Sequence, residues 1–213
     1  ELKEAIKENQ TDKDGKLVVL YAGNKEAQHS YIEIAKDKGY QVLLLDSPII
    51  PHLIQKLESD NSGLTFVRVD SDHIDNLIKK EETAISKLST EEQESLKTVV
   101  ETIVPKQTYT VQLEALDSSA APFIITQPEF MRRMKEMSQT GGGGMFGMGN
   151  FPEMYNLVVN TNSDLATSIL NNEDKTVQEN LVKQALDLAK LSQNLLKGEA
   201  LTAFVKRSFE MIK

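Results

Sequence analysis

Along the first seventy residues, short unbroken apolar runs alternate with stretches whose apolar residues recur at helical spacing. Residues 17–21 (LVVLY), 42–45 and 65–69 are the runs a strand needs when both of its faces are covered, and they predict three strands. Between them, residues 25–38 set Ala27, Tyr31, Ile34 and Ala35 on one helical face and stop at Gly39, while residues 49–57 read as a second helix. Strand and helix in this order predict a small βαβαβ module with parallel strands and right-handed crossovers.

The pattern then changes. Residues 71–88 carry Ile74, Leu77 and Ile78 followed by Lys79, Lys80, Glu81 and Glu82, which reads as a connecting helix and a domain boundary. Overlapping capping boxes, Ser89 with Glu92 or Thr90 with Gln93, start a helix near Thr90. Its core face is Leu96, Val99, Val100 and Ile103, and Pro105 marks its end. Residues 108–115 alternate, with Tyr109, Val111, Leu113 and Ala115 on one face, as in a half-buried strand. Residues 123–126 and 155–159 supply two more strands, and a small three-stranded antiparallel sheet is expected. The fold class is α+β overall, with the α/β module over residues 1–70, the connecting helix over 71–88 and an α+β domain over 89–213.

Asn162, Ser163 and Asp164 cap a short helix, and two stronger helices close the chain. Residues 176–196 hold Leu181, Leu188 and Leu195 at intervals of seven with Ala185 and Ser192 between them, and a second row of Val182, Leu186 and Ala189. After Gly198, the residues Leu201, Phe204, Val205, Phe209 and Ile212 repeat at helical spacing. Ten buried aliphatic or aromatic side chains represent roughly 15 to 30 kcal/mol, against an association cost of about 4 to 15 kcal/mol. A homodimer through a four-helix bundle is therefore expected, with Leu181, Ala185, Leu188, Ser192, Leu195, Leu201, Phe204, Val205, Phe209 and Ile212 at its interface. The competing arrangement packs both rows on the chain's own sheet.

Residues 128–151 stand apart in composition. Six of the seven methionines fall between Met131 and Met154, and six of the eleven glycines between Gly141 and Gly149. As a helix, Phe130, Met131, Met134 and Met137 form one apolar stripe, with Arg132, Arg133, Lys135 and Glu136 on the other side. Met145, Phe146 and Met148 follow within the glycine run. Methionine is unbranched and polarizable, so such a surface repacks around differently shaped partners. The opposing reading folds this helix into the core.

Charge and chemistry narrow the classes. A net charge of −8, with no lysine or arginine between Lys135 and Lys175, argues against nucleic acid and anionic lipid. No run approaches the length of a membrane span. With no cysteine, disulfides and thiolate metal sites are excluded, and a cytoplasmic home is expected. His29, His52 and His73 share no metal-ligand spacing, and Asp70, Asp72 and Asp75 lack the EF-hand pattern and read as a solvated acidic turn. Ala22, Gly23 and Asn24 form a strand-to-helix turn without a phosphate-binding glycine pattern, and no cation follows the later glycine run. Glu1 is not an initiator methionine and LKEAIKENQ opens like the tail of a helix, so a piece of a longer chain is expected.

The order of these parts resembles the last third of the 90-kDa heat-shock chaperones in their bacterial HtpG form. The resemblance is carried by QLEALDSSAAPFIIT, EFMRRMKEM, LVVNTNSDLATSIL and LLKGEALTAFVKRSFEMI. It implies a stress-response, ATP-driven dimeric chaperone of the cytoplasm that engages partly folded clients, with residues 1–70 ending its middle domain. The family's ATP and Mg site and catalytic arginine lie in parts not represented here, so this chain is expected to be non-catalytic and to hold no cofactor or metal. The client-contacting helix aligns with Phe130, Met131, Met134 and Met137, and the dimer bundle with residues 176–212. The chain ends FEMIK, so docking of co-chaperones that read an acidic EEVD tail is not expected. The alternative function is a small α/β nucleotide- or flavin-binding protein with a structural helical dimer domain at its C-terminal end.

Overall fold

The computed structural model of the chain describes residues 2–78, 84–140 and 154–212. It divides into two compact units, Glu1–Glu82 with Thr126–Met154, and Thr83–Ile125 with Tyr155–Lys213. The described residues 126–140, which hold the methionine-rich helix, thus group with the α/β module, whereas the sequence boundaries had them within residues 89–213.

The first unit is built on three parallel strands, β1 (Leu17–Ala22), β2 (Val42–Leu44) and β3 (Leu64–Arg68), in the order β2-β1-β3. Successive β1 residues feed two cores. Val18, Leu20 and Ala22 pack with Ile32 and Ala35 of α2 (His29–Asp37) and Ile74 and Leu77 of α4 (Ile74–Leu77). Val19 and Tyr21 pack with Ile6 of α1 (Leu2–Ile6) and Ile54 of α3 (Ile50–Asp60). The LVVLY run is apolar throughout because helices cover both sheet faces. Gly39 takes φ +76° at the end of α2, where Tyr40 N–H donates back to Ala35 O at 2.9 Å.

The expected connecting helix over 71–88 is not what the described residues there form. Ile74–Leu77 is one short turn of helix, with Ile74, Leu77 and Ile78 drawn into the module core, and residues 84–88 have no regular structure. The reason lies in side-chain hydrogen bonding: Asn162 accepts from Lys87 N–H at 2.7 Å and donates to Ile85 O at 3.1 Å. Backbone groups that a helix would pair internally are thereby satisfied outside a helix. Asp70 is also buried, so it is not part of a solvated turn.

In the second unit α5 (Thr90–Ile103) starts at a complete Ser89–Glu92 capping box. Three strands follow, β4 (Tyr109–Glu114), β5 (Phe123–Thr126) and β6 (Tyr155–Asn160), with β6 central in the order β4-β6-β5. The antiparallel expectation fails for β4 and β6, which run parallel from Tyr109 opposite Tyr155 to Glu114 opposite Asn160. Alternation of side chains fixes which face is buried and carries no strand direction. The residues between β4 and β6 are numerous enough for the crossover that a parallel pair requires. Val111, Leu157 and Val159 meet Leu96 and Val100 of α5, Ala166 and Ile169 of α7 (Asp164–Asn171), and Val182, Ala185, Leu186 and Ala189 of α8 (Lys175–Ser192). The last helix is α9 (Gly198–Met211).

Asn160, fully buried, organises this unit's polar interior. Its Oδ1 accepts from Leu116 N–H at 3.2 Å and Asn162 N–H at 3.0 Å, and its Nδ2 donates to Asp117 O at 2.8 Å. Asn160→Ala should cost about 2 to 4 kcal/mol, because the buried amides of Leu116 and Asn162 lose their shared acceptor at once. Urea unfolding should show a lower midpoint at unchanged slope; a loss under about 0.5 kcal/mol would contradict the assignment.

Candidate functional site

The methionine-rich helix, α6 (Glu129–Thr140), turns its charged side inward. Glu129, Arg132, Arg133 and Glu136 recur at i, i+3, i+4 and i+7, which places them on one helical face. That face rests on the α/β module of the same unit. The opposite face carries Phe130, 72% exposed, and Met134, 38% exposed, while Met131 and Met137 are half-buried. A helix normally buries its apolar stripe and solvates its charges. Here Arg132 is the most buried of the four charged side chains, at 3% exposure.

Three arginines make this seat. Arg133 donates to both carboxylate oxygens of Glu58, at 2.8 and 3.3 Å, and from Nε to Glu129 at 2.7 Å. Its Nη2 also reaches Phe66 O at 2.6 Å, while Phe66 N–H donates to Glu58 Oε1 at 2.7 Å. β3 is an edge strand, so the Glu58–Arg133 pair satisfies the outward peptide groups that an uncovered edge would leave open. Arg132 contacts Glu129, donates to Glu136 Oε2 at 2.6 Å and to the Tyr21 hydroxyl, and lies 5.6 Å from the Tyr21 ring centre. Arg68 grips Asp70 bidentately, at 2.6 and 2.9 Å, and reaches Glu136 at 3.2 Å and Gln127 Oε1 at 3.3 Å.

The charges are close to balanced within the cluster, which is what permits their burial. Burial works against the Arg132 and Arg133 cations, but Glu129, Tyr21 and Glu136 around the first and Glu58 and Glu129 around the second hold both above the usual guanidinium range. Burial likewise pushes the Tyr21 phenol up, with the Glu129 carboxylate adding to it, to about 12. For Glu58, burial raises the pKa, yet hydrogen bonds from Arg133 and Phe66 N–H outweigh it and leave the carboxyl below its usual range.

The other candidate residues are distributed as follows. Met145, Phe146 and Met148 lie outside the described residues. Of the terminal-helix set, Ala185 and Phe204 are buried, Leu181, Leu195 and Leu201 are half-buried, and Leu188, Ser192, Val205, Phe209 and Ile212 are exposed. Leu191 and Met211 add to the exposed group. α9 is clipped to α8 by polar contacts: Arg207 donates to Gln184 Oε1 at 2.8 Å and Asp187 Oδ2 at 2.6 Å, and Gln184 Nε2 to Ser208 Oγ at 2.9 Å.

At the strand-to-helix turn, the amides of Gly23 and Asn24 both donate to Gln28 Oε1, at 2.8 and 2.9 Å, so the groups that would cradle a phosphate are already engaged. His73 is a buried N-cap of α4, and His29 and His52 are exposed. No group of three histidine or carboxylate side chains among the described residues is arranged to hold a metal ion. Sequence reasoning put Arg132 and Arg133 opposite the apolar stripe without giving them a role, and missed Tyr21, Glu58 and Arg68. One signal was present: a tyrosine inside a doubly buried strand needs a partner for its hydroxyl.

No protein-family model matches the chain. A chaperone protein HtpG of Bacteroides thetaiotaomicron is 36% identical over 274 residues, covering 97% of this chain and 40% of the relative. One from Bacteroides fragilis is 35% identical over 274 residues with the same coverage, and one from Porphyromonas gingivalis is 43% identical over 185 residues, covering 85% of this chain and 27% of the relative. The chain spans less than half the length of these curated relatives.

Because the Glu58 carboxyl is held low, its contribution is intact above the ordinary glutamate value of 4.5 and is lost as pH falls through the depressed value. Glu58→Gln should therefore cost roughly 2 kcal/mol at pH 7, discounted for partial exposure, and flatten the loss of stability as pH falls below 4.5. Thermal melts across that range check both; an acid limb as steep as the parent's would contradict it.

Proposed function

The chain belongs to the HtpG family of chaperones, and from that premise we propose that it serves as the client-binding and self-pairing portion of such a chaperone. Partly folded proteins engage the outer face of α6 through apolar contact, and a second copy of the chain pairs with α8 and α9. The observation that carries the reading is the exposure of Phe130 and Met134 on a helix anchored by its charges. Leaving such side chains in water forgoes about 1.5 to 3 kcal/mol apiece when they could be covered, and the methionines suit an adaptable contact.

Pairing is supported by α9 itself. Phe204 is its buried residue, while Val205, Phe209, Met211 and Ile212 stay in water, the last two at 53% and 81% exposure. A helix so little covered by its own chain is suited to a second chain. By family resemblance, ATP is bound and hydrolysed elsewhere in the whole chaperone, in the cytoplasm and under stress, and this portion performs no chemistry. No helix among the described residues is long and apolar enough to cross a membrane.

Phe130→Ser and Met134→Ser together should weaken binding of an unfolded client at least about tenfold while leaving the melting temperature within a degree or two. Sharp destabilisation with no separate effect on affinity would mean that the stripe is core. For pairing, sedimentation at micromolar concentration should show twice the 23.8-kDa chain mass, falling to one chain in Phe209→Glu. A single-chain mass for the parent protein contradicts the pairing half of the proposal and leaves the client half standing.

A further inference from the structure

The seat of α6 and its outer face are made of different residues, so holding the helix and using it are separable. We propose that Glu58, Arg132 and Arg133 act as a clasp that positions α6, and that an open clasp withdraws the apolar face from use. The consequence for binding rests on the client-binding reading above; the clasp itself does not.

The clasp joins four structural elements of one unit. Glu58 comes from α3, Tyr21 from β1, Phe66 and Arg68 from β3, and Glu129, Arg132, Arg133 and Glu136 from α6. The register of α6 is determined by these contacts, because rotating the helix by one residue would carry Arg132 away from Tyr21 and Arg133 away from Glu58 together. Phe130 and Met134 then point outward as a geometric consequence. A helix docked by its apolar side would have to leave its seat to meet a partner, and apparent affinity would fall by the fraction of time it was free. Docked by charge, α6 has its apolar side available throughout.

Removing Arg133 takes away its bonds to Glu58, Glu129 and Phe66 O together, which opens the seat. Once open, an amphipathic helix covers its apolar stripe on the nearest apolar surface, and the binding face is lost.

Hydrogen exchange of the full chain tests this, with the amides of residues 129–137 as the local reporter and those of β1 as the control. In Arg133→Ala and Glu58→Gln, exchange over 129–137 should accelerate on the order of tenfold while β1 keeps its protection. The double variant should exceed the larger single effect by little, since both changes remove one pair. Affinity for a reduced, carboxymethylated protein, used as a permanently unfolded probe, should fall by the same factor as docking, whereas Met134→Ser should lower affinity with exchange unchanged. Unaltered exchange over 129–137 in both clasp variants overturns the clasp, as does equal acceleration in β1, which would make these residues supports of the whole module. Accelerated exchange with no effect of Met134→Ser on the probe upholds the clasp and removes the client reading instead.

Discussion

A guanidinium taken out of water must be answered by carboxylates and acceptors on nearly every side, and the burial of Arg132 at 3% exposure imposes that demand on its surroundings. Glu129, Glu136 and the Tyr21 hydroxyl meet it, Arg133 and Glu58 continue the chain of contacts to the open edge of β3, and Arg68 with Asp70 closes it. From that cluster the position and rotation of α6 follow. The exposure of Phe130 and Met134 is then a consequence of how the helix is held.

The same division between attachment and use recurs in the second unit. α8 sends Val182, Ala185, Leu186 and Ala189 into the core, and α9 adheres to it through Arg207, Gln184, Asp187 and Ser208. Polar side chains and the buried Phe204 attach the helix, and other apolar ones such as Phe209 remain outside. In both units a helix keeps large hydrophobic side chains in water, Phe130 and Met134 on α6 and Val205 and Phe209 on α9. Stability of the chain alone is lower for it, because that apolar area stays unburied.

Much of the fold was legible. The unbroken apolar runs at β1, β2 and β3 and the helical spacing between them specify the α/β module, because a strand covered on both faces has no other pattern. The Ser89–Glu92 box and the Ser163 cap were readable because capping depends on neighbouring residues alone. Direction and partnership were not. Tyr109, Val111 and Leu113 alternate whether β6 runs with or against β4, and the non-helical path of residues 84–88 depends on Asn162, more than seventy residues away. For α6 the apolar stripe was visible and its exposed and core-facing readings both stood; what holds it was not visible. Arg132 and Arg133 look like a solvated face until Glu58 and Tyr21 are brought opposite them by tertiary folding, and a carboxylate that distant leaves no periodic trace in the sequence.

The central claim is that the outer face of α6 meets unfolded chains. Its most direct test is photo-crosslinking from a benzoylphenylalanine placed at Phe130, with exposed Glu94 on α5 as the control position. Incubated with an unfolded protein and irradiated, the chain labelled at 130 should crosslink to it at least several-fold more than the chain labelled at 94, and a natively folded form of the same protein should not crosslink. Equal yields from the two positions, or equal capture of folded and unfolded forms, would contradict the account.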